Sequence, residues 1–137
     1  MLPQDEIIRI VFSVFLATLI GYERERLHKP AGLRTHILVC MASTLLTIVA
    51  MDQFPGEVAR IAAGIVTGIG FLGAGSIISS KEGTHGLTTA ASIWMMCIIG
   101  ITTGVGMYII AVLTTVLTYI VLRFGVLERE MERQKKL

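Results

Sequence analysis

Long apolar stretches separated by short polar breaks dominate this chain of 137 residues. A membrane-spanning helix needs about 17–25 mostly apolar residues, and four of the five stretches reach that length while the first is shorter. We therefore predict an all-α bundle of about five transmembrane helices. Because only a glycine-containing reversal separates the last two stretches, a four-span arrangement with a re-entrant element stays open. The stretches are Ile7–Tyr22, Thr35–Met51, Arg60–Ser79, Leu87–Thr103 and Val105–Phe124.

The composition excludes several classes of protein. Hydrophobic residues make up 53% of the chain and charged residues 16%, whereas soluble domains carry about 25% charged residues. The net charge of +2, with no basic stripe, gives no reason to expect nucleic-acid binding. No nucleophile–base pattern or phosphate-binding loop occurs, so we expect no enzyme activity. Cys40 and Cys97 are expected to be free thiols packed among helices.

Basic residues are concentrated in one set of loops. With five spans, ten of the 12 Lys and Arg residues fall on one side of the membrane, and Arg9 and Arg60 fall on the other. The positive-inside rule then predicts an outside N-terminus and a cytoplasmic C-terminus. We expect Arg9 and Arg60 to extend toward lipid headgroups. Residues 1–126 are interpreted as a transmembrane domain, and residues 127–137 as a charged, helical cytoplasmic tail.

The third stretch is unusually rich in glycine. At about 100° per residue, Gly64, Gly68 and Gly75 share one face, and Gly70 and Gly73 lie on roughly the opposite side. Small residues let membrane helices approach closely, so this helix is predicted to be the centre of the bundle or the seam of a homodimer. The same residues match G-x-G-x-x-G, but the strand and amphipathic helix that a dinucleotide site requires are missing.

Polar residues converge where several helix ends meet at the predicted cytoplasmic surface. Carboxylate, guanidinium and hydroxyl groups in one place indicate a ligand or ion site, or a structural clasp of helix ends. The three histidines, His28, His36 and His85, are expected to be solvated loop residues and lack the spacing of a metal site. The candidate site residues are Glu23, Arg24, Arg34, Thr35, Thr88 and Thr89.

Three chemical roles stay open for this surface. Glu23 and Arg34 can form an interhelical ion pair that locks two helix ends. Free backbone N–H groups at the helix starts favour an anion. Glu23, backbone carbonyls and threonine hydroxyls can also supply oxygen ligands to Mg²⁺, which makes Glu23 the one candidate metal ligand. The threonines are also interpreted as simple helix caps.

These residues together resemble the MgtC/SapB family of bacterial inner-membrane proteins. Each motif alone is weak, but their order and spacing are specific, and the resemblance covers about Ile7 to Phe124. The motifs are Gly21-Tyr22-Glu23-Arg24-Glu25, Pro30-Ala31-Gly32-Leu33-Arg34-Thr35-His36, Gly68-Ile69-Gly70-Phe71-Leu72-Gly73-Ala74-Gly75 and Gly86-Leu87-Thr88-Thr89-Ala90-Ala91-Ser92-Ile93-Trp94.

The resemblance implies a multi-pass protein linked to Mg²⁺ homeostasis and, in pathogens, to virulence. It implies a non-enzymatic regulator of a membrane partner, of which the F-type ATP synthase is one ascribed to the family, and Mg²⁺ is the only cofactor that it suggests. A small channel or transporter for Mg²⁺ or another ion is the alternative. Many members carry a C-terminal soluble domain, and we expect no regulatory input through such a domain within these 137 residues.

Overall fold

Five α-helices form a bundle in the computed structural model, which describes residues 3–80 and 83–135. The predicted all-α bundle is therefore confirmed. A short antiparallel hairpin, with Ser79 paired to Thr84, connects the third helix to the fourth. In chain order the elements are α1 (Pro3–Arg26), α2 (Leu33–Gln53), α3 (Val58–Gly75), β1 (Ile78–Ser80), β2 (Gly83–His85), α4 (Leu87–Gly104) and α5 (Tyr108–Lys135).

Four of these helices, α2 to α5, are long and apolar enough to cross a membrane. α1 has 24 residues, about 36 Å at 1.5 Å per residue, but it carries charged residues at both ends and Arg9 inside. Its membrane crossing stays a prediction, as do the sides on which the termini lie. α4 and α5 are separate long helices joined by a turn at Gly106, whose φ is +87°. The structure therefore favours two full helices over a re-entrant element.

The third helix ends earlier than the apolar pattern predicts. The apolar stretch continues to Ser79, but α3 stops at Gly75, and the chain then enters β1. Ser76 terminates the helix, because its backbone N–H and its hydroxyl both donate to the Gly73 carbonyl, at 3.0 and 2.8 Å. Such local bonding by serine competes with continuation of a helix.

The last helix extends beyond the apolar stretch that predicts it. α5 runs without a break past residue 126 to Lys135, so the proposed domain boundary at residues 126 and 127 falls inside one helix. Residues 136 and 137, at the end of the predicted charged tail, lie outside the described residues.

α4, rather than the glycine-rich α3, is the central helix. Half of the α4 span is buried inside the chain, compared with 6% of the α3 span. The prediction that α3 is the centre of the bundle is therefore wrong for the single chain, and the prediction that it is a seam between copies stays open. α4 packs against α1, α2, α3 and α5, while α3 lies at the edge beside α2 and α4.

α2 and α4 pack closely because two glycines on α4 face small residues on α2. A Cβ atom at Gly100 would lie 2.4 Å from the Cys40 carbonyl oxygen, and one at Gly104 would lie 2.6 Å from the Thr47 Cβ. The Thr44 hydroxyl lies 2.9 Å from the Gly100 carbonyl oxygen, to which it donates across the interface. Gly100 and Gly104 thus form the small-xxx-small contact that the sequence suggested for Gly64 and Gly68.

Arg9 connects the start of α1 to the end of α4. Its Nη1 donates to the Gly104 carbonyl oxygen at 2.6 Å, and the residue is buried. A cation at this position complements the negative end of the α4 dipole. The expectation that Arg9 extends toward lipid headgroups is therefore wrong, whereas Arg60 is exposed and pairs with Glu57. Cys40 and Cys97 are buried free thiols, as predicted.

Replacing Gly100 with alanine should destabilise the bundle, although alanine favours helix formation by about 1 kcal/mol over glycine. The new methyl group would overlap the α2 backbone, and overpacking of this kind costs about 1–3 kcal/mol. Gly125→Ala is the matched control, because no described atom outside the adjacent backbone of α5 lies within 4 Å of its added Cβ. Unfolding of both variants in detergent, followed by circular dichroism, measures the difference. Equal stability of the two variants would contradict close α2–α4 packing.

Candidate functional site

A group of buried polar side chains lies at the end of the bundle where α1 ends and where α2 and α4 begin. All of its members are less than 9% exposed, although three are polar and two are charged. Buried groups of this kind require partners, because an unsatisfied polar group in a low-dielectric interior is costly. We call this set the buried polar cluster, and it consists of Glu23, Arg24, His36, Thr89 and Ser92.

The connection from α1 to α2 determines the position of the buried polar cluster. The Lys29 N–H donates to the Arg24 carbonyl at 3.0 Å and the His28 N–H donates to the Glu25 carbonyl at 2.9 Å, which is a Schellman ending. The Glu25 carboxylate then accepts a hydrogen bond from the Leu33 N–H at 2.7 Å, at the start of α2. A carboxylate at a helix start accepts hydrogen bonds from free backbone N–H groups and interacts favourably with the positive end of the helix dipole. This turn fixes the end of α1 against the start of α2.

Glu23 and Arg24 form a buried ion pair with unused bonding capacity. Arg24 Nη1 lies 3.5 Å from Glu23 Oε2, which is longer than the 2.7–2.9 Å of a strong charge-assisted bond. Glu23 Oε1 and Arg24 Nε are both buried and have no hydrogen-bond partner among the described residues. Each charged group can therefore accept or donate one further bond to a ligand.

His36 connects the start of α2 to α4. Its Nδ1 lies 2.7 Å from the Gly32 carbonyl oxygen, and its Nε2 lies 3.0 Å from the Ser92 hydroxyl. A carbonyl only accepts hydrogen bonds, so Nδ1 carries the proton. The Ser92 hydroxyl also lies 2.8 Å from the Thr89 carbonyl oxygen. The expectation that His36 is a solvated loop residue is therefore wrong.

Two cavities lie beside the Glu23–Arg24 pair. The α1–α5 cavity has a volume of about 670 Å³ and contains Glu23 in its wall. The α4 N-terminal cavity has a volume of about 450 Å³ and contains Arg24 in its wall. The first is lined by Thr18, Leu19, Tyr22, Glu23, Arg26, Leu27, Thr115, Val116, Tyr119 and Arg123. The second is lined by Arg24, His28, Lys29, Pro30, Thr84, His85, Gly86, Leu87, Thr88, Thr89, Leu122 and Gly125.

The structure brings together some of the candidate site residues and separates others. Arg24, Thr88 and Thr89 line the α4 N-terminal cavity, and Glu23 lines the α1–α5 cavity. Arg34 is exposed and Thr35 is half-buried, and neither lines these two cavities. Glu23 pairs with its chain neighbour Arg24 instead of Arg34, because Arg24 is turned into the bundle and Arg34 lies on an outer face.

No metal site is complete within the described residues. They contain no group of three or more His, Cys, Asp or Glu side chains that could hold a metal ion. Magnesium often takes only one or two protein carboxylates and keeps several waters. The Glu23 carboxylate therefore stays a predicted ligand.

The glycines of α3 are mostly open to the outside of the chain. Apart from the adjacent backbone of α3, no described atom lies within 4 Å of an added Cβ at Gly64, Gly68, Gly70 or Gly75. Gly73 differs, because it is buried against Ala90 of α4, with the nearest atoms at 3.7 Å. Gly64 and Gly68 also line a shallow groove of about 420 Å³ between α3 and α2. α3 thus uses one glycine for internal packing and presents the others outward.

His36, Ser92 and the capping carboxylate of Glu25 are contributors that sequence reasoning missed. One signal could have identified His36. His36, Cys40, Thr44 and Thr47 recur at intervals of three or four residues along α2, which places them on one face. A small polar stripe inside an apolar helix indicates a face turned to other helices, because polar groups avoid lipid.

Comparison with known proteins identifies related chains. The MgtC family profile matches residues 10–133. The chain is 42% identical over 125 residues to the putative magnesium transporter YhiD of Escherichia coli K12, covering 85% of this chain and 58% of that protein. It is 38% identical over 130 residues to Protein MgtC of Salmonella typhimurium LT2, covering 95% and 55% of the two chains. The chain thus spans less than two thirds of these relatives. No solved structure matches it.

Removing both members of the Glu23–Arg24 pair should cost less than the sum of the two single losses. Glu23→Gln leaves Arg24 as an unpaired buried cation, and Arg24→Gln leaves the carboxylate unpaired, each at a cost of about 3 kcal/mol. In the double variant two neutral side chains remain, so its loss should be smaller than the sum by about 2 kcal/mol. Unfolding of the four proteins in mixed micelles gives the coupling energy. Additive losses would show that the two charges do not stabilise each other.

Proposed function

This chain belongs to the MgtC family, and we propose that it is a non-enzymatic regulator of a membrane partner in the bacterial inner membrane. The proposed role is in Mg²⁺ homeostasis and adaptation to low Mg²⁺, with a link to virulence in pathogens. A related protein bears the name putative magnesium transporter, which supports the connection to magnesium. The F-type ATP synthase is the proposed partner, on the basis of the family resemblance.

The open glycine surface of α3 is the observation that carries this proposal. Each glycine inside a helix costs about 1 kcal/mol of helix propensity relative to alanine. At Gly64, Gly68, Gly70 and Gly75 no internal contact offsets that cost, because nothing lies within 4 Å of an added Cβ. Small residues on a lipid-facing helix allow another helix to approach closely and gain van der Waals contact. The surface therefore suits a second transmembrane helix.

Large apolar side chains beside the glycines extend this contact surface. Phe71 is 84% exposed and Leu72 is 53% exposed on the same helix. These large side chains form ridges and the neighbouring glycines form hollows, so the side chains of another helix can interdigitate with this surface. A second copy of the chain would form the proposed homodimer, and a subunit of the ATP synthase would form the regulatory complex.

The interior of the bundle favours a protein that acts by contact with a partner over one that conducts ions. Several of its buried hydroxyls donate to carbonyls four residues earlier on their own helices, as Thr47 does to Ser43, Thr103 to Ile99 and Thr115 to Ala111, at 2.7–2.8 Å. These hydroxyls are neutral, whereas protein sites for Mg²⁺ usually include one or two carboxylates. The middle of each apolar stretch carries no Asp or Glu, so the sequence offers no carboxylate at mid-membrane depth.

One observation favours the alternative of a small channel or transporter for Mg²⁺ or another ion. Glu23 Oε1 is buried, has no partner among the described residues, and belongs to a side chain that lines the α1–α5 cavity. A carboxylate with open space beside it is a suitable Mg²⁺ ligand. In this alternative the passage of the ion depends on the Glu23 carboxylate.

Gly68→Leu should weaken binding to the partner while leaving the fold intact, because Gly68 is exposed and its added Cβ meets no described atom outside its own helix. We expect the Kd for purified F-type ATP synthase in nanodiscs to rise about tenfold, as a close helix contact of about 1.4 kcal/mol is lost. Val112→Leu on α5 adds bulk at another exposed apolar position and should leave the Kd unchanged.

Gly73→Leu separates partner binding from internal packing, because Gly73 contacts Ala90 of α4. This variant should lower the thermal stability of the isolated chain, whereas Gly68→Leu should not. If Gly68→Leu changes neither the Kd nor the oligomer size, the α3 surface is not the regulatory interface.

A further inference from the structure

The α4 N-terminal cavity has the electrostatic character of an anion site. Basic side chains from three parts of the chain line it, whereas no acidic side chain is among the described residues that line it. Arg24 comes from the last turns of α1, His28 and Lys29 from the turn that follows, and His85 from the end of β2. Since His85 is distant in sequence from the other three residues, the fold itself brings these basic side chains together.

The start of α4 adds backbone donors to this wall. The first N–H groups of an α-helix have no partner inside the helix, and α4 begins at Leu87 in the lining of the cavity. Gly86, the N-cap residue, has a φ of +91°, and an added Cβ would lie 2.0 Å from the Ser76 carbonyl oxygen. Only glycine fits there, so the N-cap position cannot supply the usual capping side chain.

A buried cation provides an independent indication of a ligand. Arg24 is 2% exposed, its Nε has no hydrogen-bond partner among the described residues, and it lines the cavity. Its ion pair with Glu23 is 3.5 Å long. A guanidinium has five N–H donors arranged to bind planar or tetrahedral oxyanions. Arg24 therefore has donors left for an oxyanion in the cavity.

The backbone at His28 supports the same assignment. His28 has a φ of +52°, a left-handed conformation that glycine adopts more easily than any other residue at this position of a helix ending. The histidine side chain lines the cavity. A residue that keeps an unfavourable backbone conformation while its side chain lines a cavity is consistent with a role in ligand binding.

We propose that the α4 N-terminal cavity binds a phosphate group, with Arg24, His28 and the first N–H groups of α4 as donors. The phosphate belongs either to the headgroup of an anionic phospholipid or to a free phosphate ion. Both have the same oxyanion chemistry, and the cavity lies at the end of the bundle, where either can enter. Phosphate binding here is independent of the α3 contact surface, so it can hold or fail whatever the partner of the chain is.

Two probes distinguish the sources. Native mass spectrometry of the detergent-purified chain measures retention of phosphatidylglycerol against phosphatidylcholine, and isothermal titration calorimetry measures binding of inorganic phosphate. Preferential retention of phosphatidylglycerol with no phosphate binding assigns a lipid headgroup. Binding of inorganic phosphate without lipid preference assigns a soluble anion. If the wild-type chain does neither, the proposal is overturned.

Two variants test the donors, and the second of them is expected to keep the stability of the wild type. Glu23→Gln/Arg24→Gln removes the guanidinium but leaves no unpaired buried charge, and should weaken binding about tenfold. His28→Gly removes one donor while relieving the left-handed backbone, and should weaken binding about fivefold with an unchanged or higher Tm. Arg34→Gln removes an exposed charge at the same end of the bundle and is the control.

The affinities of these variants for the bound probe show whether the cavity is the binding site. We expect both cavity variants to bind more weakly than Arg34→Gln. If His28→Gly and Arg34→Gln bind the probe as tightly as the wild type, His28 is no donor. If the double variant also binds with unchanged strength, general surface charge explains the binding, and the cavity is not the site.

Discussion

The close contact between α2 and α4 is the constraint on which the rest of the bundle depends. Gly100 and Gly104 leave no room for side chains on that face of α4, so the two backbones approach, and the Thr44 hydroxyl donates to the Gly100 carbonyl oxygen between them. This contact makes α4 the central helix. It also sets the distance at which His36 on α2 meets Ser92 on α4, and it leaves α3 at the edge of the bundle.

Polar groups in the bundle fall into two classes with different consequences. Most buried hydroxyls donate to carbonyls of their own helix, which satisfies the O–H donors and holds these side chains against the backbone. At the end of the bundle, Glu23 Oε1 and Arg24 Nε are buried and have no hydrogen-bond partner among the described residues. We therefore propose that polar ligands are recognised at that end and that a membrane partner is recognised on the outer surface of α3.

The sequence predicted the helices and the family more accurately than the contacts. Apolar length fixes where helices form, and the ordered motifs identified the family. Gly64–Gly68 and Gly100–Gly104 have the same spacing, however, and the choice between them depends on which helix presents small residues opposite. Cys40 and Thr47 on α2 decide it, because they face Gly100 and Gly104 across the interface. Spacing within one helix carries no information about its neighbour.

The same limit applied to the candidate site. Glu23 and Arg24 were correctly placed at a helix end, but the partner of Glu23 depends on how far α1 is rotated, and that rotation follows from packing against α2 and α4. His36 was misjudged because it stands near a loop in sequence. Its helix begins three residues earlier, and its ring is fully buried.

The central claim is that this chain acts through contact surfaces and that its packed interior does not conduct ions. The most direct test is Mg²⁺ uptake into proteoliposomes loaded with a fluorescent Mg²⁺ indicator, for the wild type, Glu23→Gln and empty liposomes. An added ionophore confirms the response of the indicator. We predict that uptake with the folded, inserted wild type equals that of empty liposomes. Uptake above the empty control that is lost in Glu23→Gln would contradict the account and make the chain a transporter.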